Sequence, residues 1–256
     1  MCLILLALEA HVHYKVIIAG NRDEYYDRPT APAGFWEDYP NLLAGKDLRA
    51  GGTWMGVTRK GKIAAVTNYR DPASLKDSAP SRGNLVLDYL LGPMDPEAYL
   101  DRIIGTSGDY NGFSLLFGER ERLLWYSNRA PAPRRLTPGI YGISNHLLDT
   151  PWPKVKRGKE ALTRLLLEEK DLDTESVFAI LGDAQVAEDG SLPHTGVGLE
   201  RERMLSPLFV RSPIYGTRSS TLLFIDFRDR LTFVERTFDP LRDRSDTVTH
   251  TFRIES

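Results

Sequence analysis

Cysteine is almost absent: among 256 residues there is one, Cys2. A lone cysteine excludes an internal disulfide framework and any multi-cysteine zinc or iron–sulfur site, and it fits a reducing compartment. Histidine is sparse as well, five in all. His11-x-His13 reads as an exposed turn rather than a metal site, and His146 and His194 as polar loop residues, so no metal and no cofactor is expected. Neither sign of charge is in excess, with 33 Lys and Arg against 35 Asp and Glu. A net charge of -2 gives no electrostatic reason to expect nucleic acid or an anionic membrane as partner. Long apolar runs are missing too. The N-terminal run covers only Leu3 to Leu8, has no basic stretch before it and meets Glu9 directly after. It reads as neither a signal peptide nor a membrane span, and a cytoplasmic location is the expectation. No repeat, low-complexity tract or linker divides the chain, so one domain over 1–256 is expected.

What is present is alternating strand and helix signal. Leu3 to Leu8 and Val16 to Ala19 are apolar runs joined by a polar link, which reads as a hairpin buried on both faces. The second run ends in the polar cluster Gly20-Asn21-Arg22-Asp23-Glu24. Residues 25 to 50 carry Pro29, Pro32, Gly34, Pro40 and Gly45 without sustained periodicity, so they read as a long ordered loop. Strands are predicted at 53–57 and 63–68 around a Lys60-Gly61 turn, and again at 113–117, 123–127, 140–144, 220–227, 231–238 and 248–254. Helices are predicted in two blocks. One block runs from Asn84 to Leu91, then from an Asp95-Pro96 start to Ile104, stopped by Gly105. The other opens at Thr150-Pro151 and continues to about Leu167, with Val155, Leu162, Leu165 and Leu166 on the buried face and Lys154, Arg157 and Lys159 on the opposite one. A shorter helix capped by Asp173 follows. Antiparallel hairpins interrupted by two helical blocks define an α+β chain rather than a parallel βαβ array.

The chemistry centres on Cys2. If Met1 is removed, Cys2 carries a thiol and a free α-amine on one α-carbon. A thiol has an unperturbed pKa of about 8.5 and an α-amine one of about 7.7–8.0, so the amine is a base matched to its own nucleophile. The competing account is a small hydrophobe at a strand end, the usual fate of a free cysteine. Arg22 and Asp23 leave the strand that pairs with the one beginning at Cys2, so the open end of the hairpin brings them beside it. A cysteine attacking an amide needs a cation near the thiol, a carboxylate to orient the amine, and neutral donors for the oxyanion. Asn68 and Asn145 each end a predicted strand and carry suitable amides, although strand-end asparagines also serve as turn residues. Arg218, in Tyr215-Gly216-Thr217-Arg218-Ser219, supplies a second cation at a strand start. Trp54 reads as core.

Several segments together resemble a known family. These are Met1-Cys2, Asn21-Arg22-Asp23-Glu24 with Arg28-Pro29 behind it, Gly51-Gly52-Thr53-Trp54, Thr67-Asn68-Tyr69-Arg70, Ser81-Arg82-Gly83, Tyr110-Asn111-Gly112-Phe113, Ser144-Asn145 and Tyr215 to Ser219. They occur in order over nearly the whole chain, and they look like the NRDE family, that of the transport and Golgi organisation protein 2. That family in turn resembles the N-terminal nucleophile hydrolases, which implies an αββα sandwich of two antiparallel sheets between helix layers. Similarity to the penicillin V acylase and bile salt hydrolase group implies Cys2 as nucleophile and base, Arg22 and Asp23 beside it, Asn68 and Asn145 as oxyanion or substrate donors, and Arg218 as second cation. Those acylases place the arginine and aspartate three apart, whereas Arg22 and Asp23 are consecutive here, leaving Asp23 and Glu24 both open for the carboxylate role. The implied activity is hydrolysis of a small-molecule C–N amide. The alternative is a binding and trafficking protein for haem or a lipid or acyl ligand on the same fold.

Overall fold

The computed structural model describes residues 2–239 and 244–255. Strand β1 (Cys2–Leu8) is buried along its whole length. Its apolar run has no alternation because both faces are covered. Ile4, Leu6 and Leu8 point into the core between the two sheets. Leu3, Leu5 and Ala7 point into a second core beneath helices. Each such fully buried aliphatic side chain contributes roughly 1.5–3 kcal/mol relative to exposure.

Strand β2 (Tyr14–Tyr25) pairs antiparallel with β1 from Leu8↔Val16 to Cys2↔Arg22. It is longer than its apolar run: the polar cluster at 20–24 continues the strand instead of ending it. The polar residues stay extended because β11 (Tyr215–Asp226) covers their other edge, with Ser219 against Arg22 and Thr217 against Asp23. Beyond it lie β12 (Arg230–Asp239) and β13 (Arg244–Arg253), and β10 (Gly139–Ile143) flanks β1. The first sheet therefore runs β10-β1-β2-β11-β12-β13.

Residues 25–50 are not the loop their composition suggests. They contain β3 (Thr30–Phe35) and β4 (Leu42–Asp47). The second sheet runs β3-β4-β5-β6-β7-β8-β9, with β5 (Met55–Thr58), β6 (Lys62–Asn68), β7 (Phe113–Glu119), β8 (Arg122–Ser127) and the short β9 (Arg134–Arg135). β3 lies at the sheet edge, where Pro32 removes no ladder bond that the sheet needs, and the register shifts between Ala31 and Gly34. An irregular edge strand leaves no clean alternation to read.

Helices α1 (Gly83–Leu91) and α2 (Pro96–Thr106) cover the outer face of the second sheet, packing Leu85, Val86, Tyr89, Tyr99 and Ile103 against Phe113, Leu115 and Phe117. Asp95 caps α2 through Ala98 N at 2.8 Å. The helix passes through Gly105, which sits in its last turn, where the intrinsic cost of glycine is only about 1 kcal/mol. Helices α3 (Pro153–Glu168) and α4 (Thr174–Leu181) cover the outer face of the first sheet. α3 begins at the second proline of Thr150-Pro151-Trp152-Pro153, with Trp152 as N-cap. A short α5 (Leu199–Met204) interrupts the expected loop before β11. The result is an α+β, four-layer αββα sandwich. Among the described residues no helix is long and apolar enough to cross a membrane.

Candidate active site at the open end of the first hairpin

Opposed residues of an antiparallel pair project from the same face. The register Cys2↔Arg22 therefore sends both side chains toward the space between the sheets, along the row of Ile4, Leu6 and Ile18. At this end the sheets do not close on apolar side chains. They enclose a cavity of about 350 Å³ whose lining includes Cys2, Arg22, Asp23, Asn68 and Arg218. Five of the six residues singled out in the sequence thus share one space.

Asn145 is fully buried and does not line it. Its Nδ2 donates to the Asn68 carbonyl at 3.0 Å, Thr67 Oγ1 donates to the Ser144 carbonyl at 2.6 Å, and Ser144 Oγ donates to the Cys2 carbonyl at 3.1 Å. Residues 144 and 145 thereby tie the end of β6 to the start of β1 across the two sheets. The Asn68 carboxamide borders the cavity and makes no side-chain hydrogen bond within the described residues.

The ionisable groups divide by the side of the sheet they occupy. Arg22 faces the cavity with its guanidinium 3.8 Å from Glu24 and 3.9 Å from Asp47, beyond hydrogen-bond distance of both. Asp47 is instead held by Arg28, through Nε at 2.9 Å and a second nitrogen at 2.8 Å. Burial alone would raise the Asp47 carboxyl, but the Arg28 hydrogen bond and the Ala50 and Arg49 N–H groups hold it below the usual carboxylate range. Arg218 spends one nitrogen on the carbonyls of Tyr25, Tyr26 and Arg28, each at 3.0 Å. It fixes the turn at the cavity mouth.

Asp23 follows Arg22 in an extended strand, so its side chain turns toward the helical layer. It is 1% exposed, accepts from Thr217 Oγ1 at 2.8 Å, and lies 3.7 Å from Lys154 Nζ. Glu24 is only half-buried at the mouth. Of the two carboxylates open on sequence, Asp23 is the enclosed one. One step of register beyond Cys2↔Arg22 places it across from the amino end of Cys2. Burial pushes the Cys2 thiol up, with Arg22 opposing and Asp23 reinforcing the rise.

Three site residues were missed by sequence reasoning. Arg82 lines the cavity from the start of α1 and donates to the Gly112 carbonyl at 3.0 Å. Glu235 of β12 reaches between the sheets to accept from Ala33 N at 2.7 Å, and burial pushes its carboxyl up. Lys154, expected on the solvent face of α3, is 1% exposed. The signal for it lay in a four-residue spacing: Lys154, Gly158, Leu162 and Leu166 form one buried stripe, which a lysine charge had disqualified. Trp54, expected in the core, is half-buried and borders the cavity.

A two-sheet αββα sandwich with a buried cysteine at position 2, facing a charged cavity between the sheets, defines an α+β protein with a cysteine-based candidate site. The chain belongs to the transport and Golgi organisation 2 family, whose model matches residues 1–240. It is 36% identical to the transport and Golgi organization protein 2 homolog of Bos taurus, over 95% of this chain and 94% of that one. Among solved structures it is similar to a conjugated bile acid hydrolase from Clostridium perfringens (TM-score 0.46, 9% identity, 100% of this chain and 97% of that chain). It is also similar to a Caenorhabditis elegans N-acylethanolamine-hydrolyzing acid amidase ortholog (TM-score 0.45, 12% identity, 87% of this chain and 92% of that chain).

Proposed function

We propose that the protein is an N-terminal cysteine amidohydrolase that cleaves a C–N amide bond of a small molecule. The observation that carries this reading is the convergence of Cys2, Arg22 and Asn68 on one cavity, with Asp23 enclosed across from the amino end of Cys2. Met1, whose removal the reading requires, lies outside the described residues.

In the processed chain the α-amine of Cys2 takes the thiol proton, and Sγ attacks the amide carbonyl. The Asn68 carboxamide, held by Asn145 through its backbone carbonyl, donates to the developing oxyanion, and Arg22 supplies positive charge at the thiolate. The ammonium, oriented by Asp23, returns its proton to the leaving nitrogen as the C–N bond breaks. Water then hydrolyses the thioester, with the amine again acting as base. A cavity of about 350 Å³ falls in the range of small-molecule sites. The binding reading for haem has less support, because no histidine borders the cavity among the described residues.

Intact mass and acyl trapping test the proposal. The expected mature mass lacks Met1, an electrophilic amide probe adds one acyl group, and Cys2→Ala loses the adduct completely. Quantitative retention of Met1 in native protein would overturn the reading, because the base would then be a peptide nitrogen.

A further inference from the structure

We propose that Lys154 is a positioning residue of this site: its buried ammonium keeps the Asp23 carboxylate ionised and in place across from the amino end of Cys2. The catalytic part of the inference rests on the amidohydrolase reading; the charge assignment does not.

Lys154 sits in the first turn of α3, one of the largest fully buried side chains among the described residues, where its Nζ makes no hydrogen bond. The anion within ion-pair distance of it among the described residues is Asp23, through Oδ2 at 3.7 Å. Burying an ammonium costs several kcal/mol, and a well-packed apolar side chain of similar volume is often as stable or more so. The other members of its stripe, Gly158, Leu162 and Leu166, pack without polar partners. Packing alone thus gives no reason for a cation here.

Groups from several elements surround the pair. From β11, Thr217 donates to the Asp23 carboxylate and the Tyr215 hydroxyl to the Asp23 carbonyl at 2.9 Å. From the hairpin come Cys2 and Arg22, the latter aimed at the cavity. Behind Lys154 stands Arg70, whose guanidinium is hydrogen-bonded to the buried Glu202. Lys154, that ion pair and Trp152 share the lining of a small pocket of about 10 Å³. Arg70, though bonded to Glu202, also feels the Asp23 charge, and Lys154 faces Asp23 from the helical layer at 3.7 Å. Burial pushes Asp23 up and Lys154 down, and each opposes the other's shift. Without Lys154 the Asp23 carboxyl takes up a proton, and a neutral carboxyl holds an ammonium poorly.

The test uses the full chain with Lys154→Met, Lys154→Arg and the double variant Lys154→Met with Asp23→Asn. Infrared difference spectra at neutral pH read the carboxylic-acid carbonyl band, and the amide probe reads acylation against pH. Lys154→Met should gain an acid band that the double variant lacks. It should also acylate about tenfold or more slowly at neutral pH, recovering as pH rises through the new Asp23 titration. Lys154→Arg should keep the wild-type spectrum and pH profile. A folded Lys154→Met with no acid band and an unchanged profile overturns the assignment. If Lys154→Met does not fold, a folded double variant supports the pairing and an unfolded one overturns it. A wild type inert to the probe with the infrared result intact retires the hydrolase reading alone.

Discussion

The two ends of the β1–β2 hairpin are buried alike and made of opposite chemistry. At the Leu8–Val16 end, β1 and β2 feed Leu6, Leu8, Val16 and Ile18 into the core between the sheets. At the Cys2–Arg22 end the same two strands, at comparable depth, present a thiol, a guanidinium and a carboxylate. The apolar end gains stability from every residue it buries. At the other end each buried charge is a desolvation cost that needs compensation. Lys154 and Thr217 compensate Asp23, Arg28 takes Asp47 by hydrogen bonds, and Arg22 faces the cavity with Glu24 and Asp47 at 3.8 and 3.9 Å. Stability is concentrated at one end of the hairpin, and the groups available for chemistry at the other.

That separation can be broken by substitution. Ile18→Ala in the apolar half should lower unfolding free energy by about 2–5 kcal/mol, read from guanidinium denaturation, while acylation of Cys2 under native conditions stays near the wild-type rate. A comparable loss of acylation would mean that the two halves are not separable. Asn68→Ala should do the reverse. Removing one oxyanion donor typically costs about 10²–10³ in rate, so single-turnover acylation should slow by that order while the denaturation midpoint hardly moves.

The smallest effect sharpens the comparison at the cavity rim. The Asp47 carboxyl is held below its usual range in the folded state. Its contribution to stability is present above the unfolded carboxylate pKa and is lost as pH falls through the folded one. Asp47→Asn should therefore cost about 1–2 kcal/mol at neutral pH, and its denaturation midpoint should converge with that of wild type on acidification. A gap that stays constant across that range would remove the Arg28–Asp47 pair from the account.

The hairpin and its open end were legible in the sequence because two apolar runs around a polar link allow few pairings. Cys2 and Arg22 are opposed as expected. The helix starts at Asp95 and Asp173 were legible through their caps, both of which accept a backbone N–H three residues on. β3 and β4 were not, since an edge strand with prolines and a register shift loses the alternation that marks a strand. The roles of Asn68 and Asn145 looked equivalent as strand-end amides. Only the crossing of two sheets turns one toward the cavity and the other toward its neighbour's backbone.

Local pattern by itself determined the α+β class, most strands, both helical blocks and the position of the nucleophile candidate, because hydrophobic period and capping act over a few residues. Tertiary structure decided which charges are buried and what each faces. Lys154 and Asp23 are 131 positions apart in sequence (154 − 23) and 3.7 Å apart in space. Glu235 meets Ala33 only because two sheets stack. Electrostatic environment depends on distance and desolvation across the whole fold, and no periodicity in the chain records it.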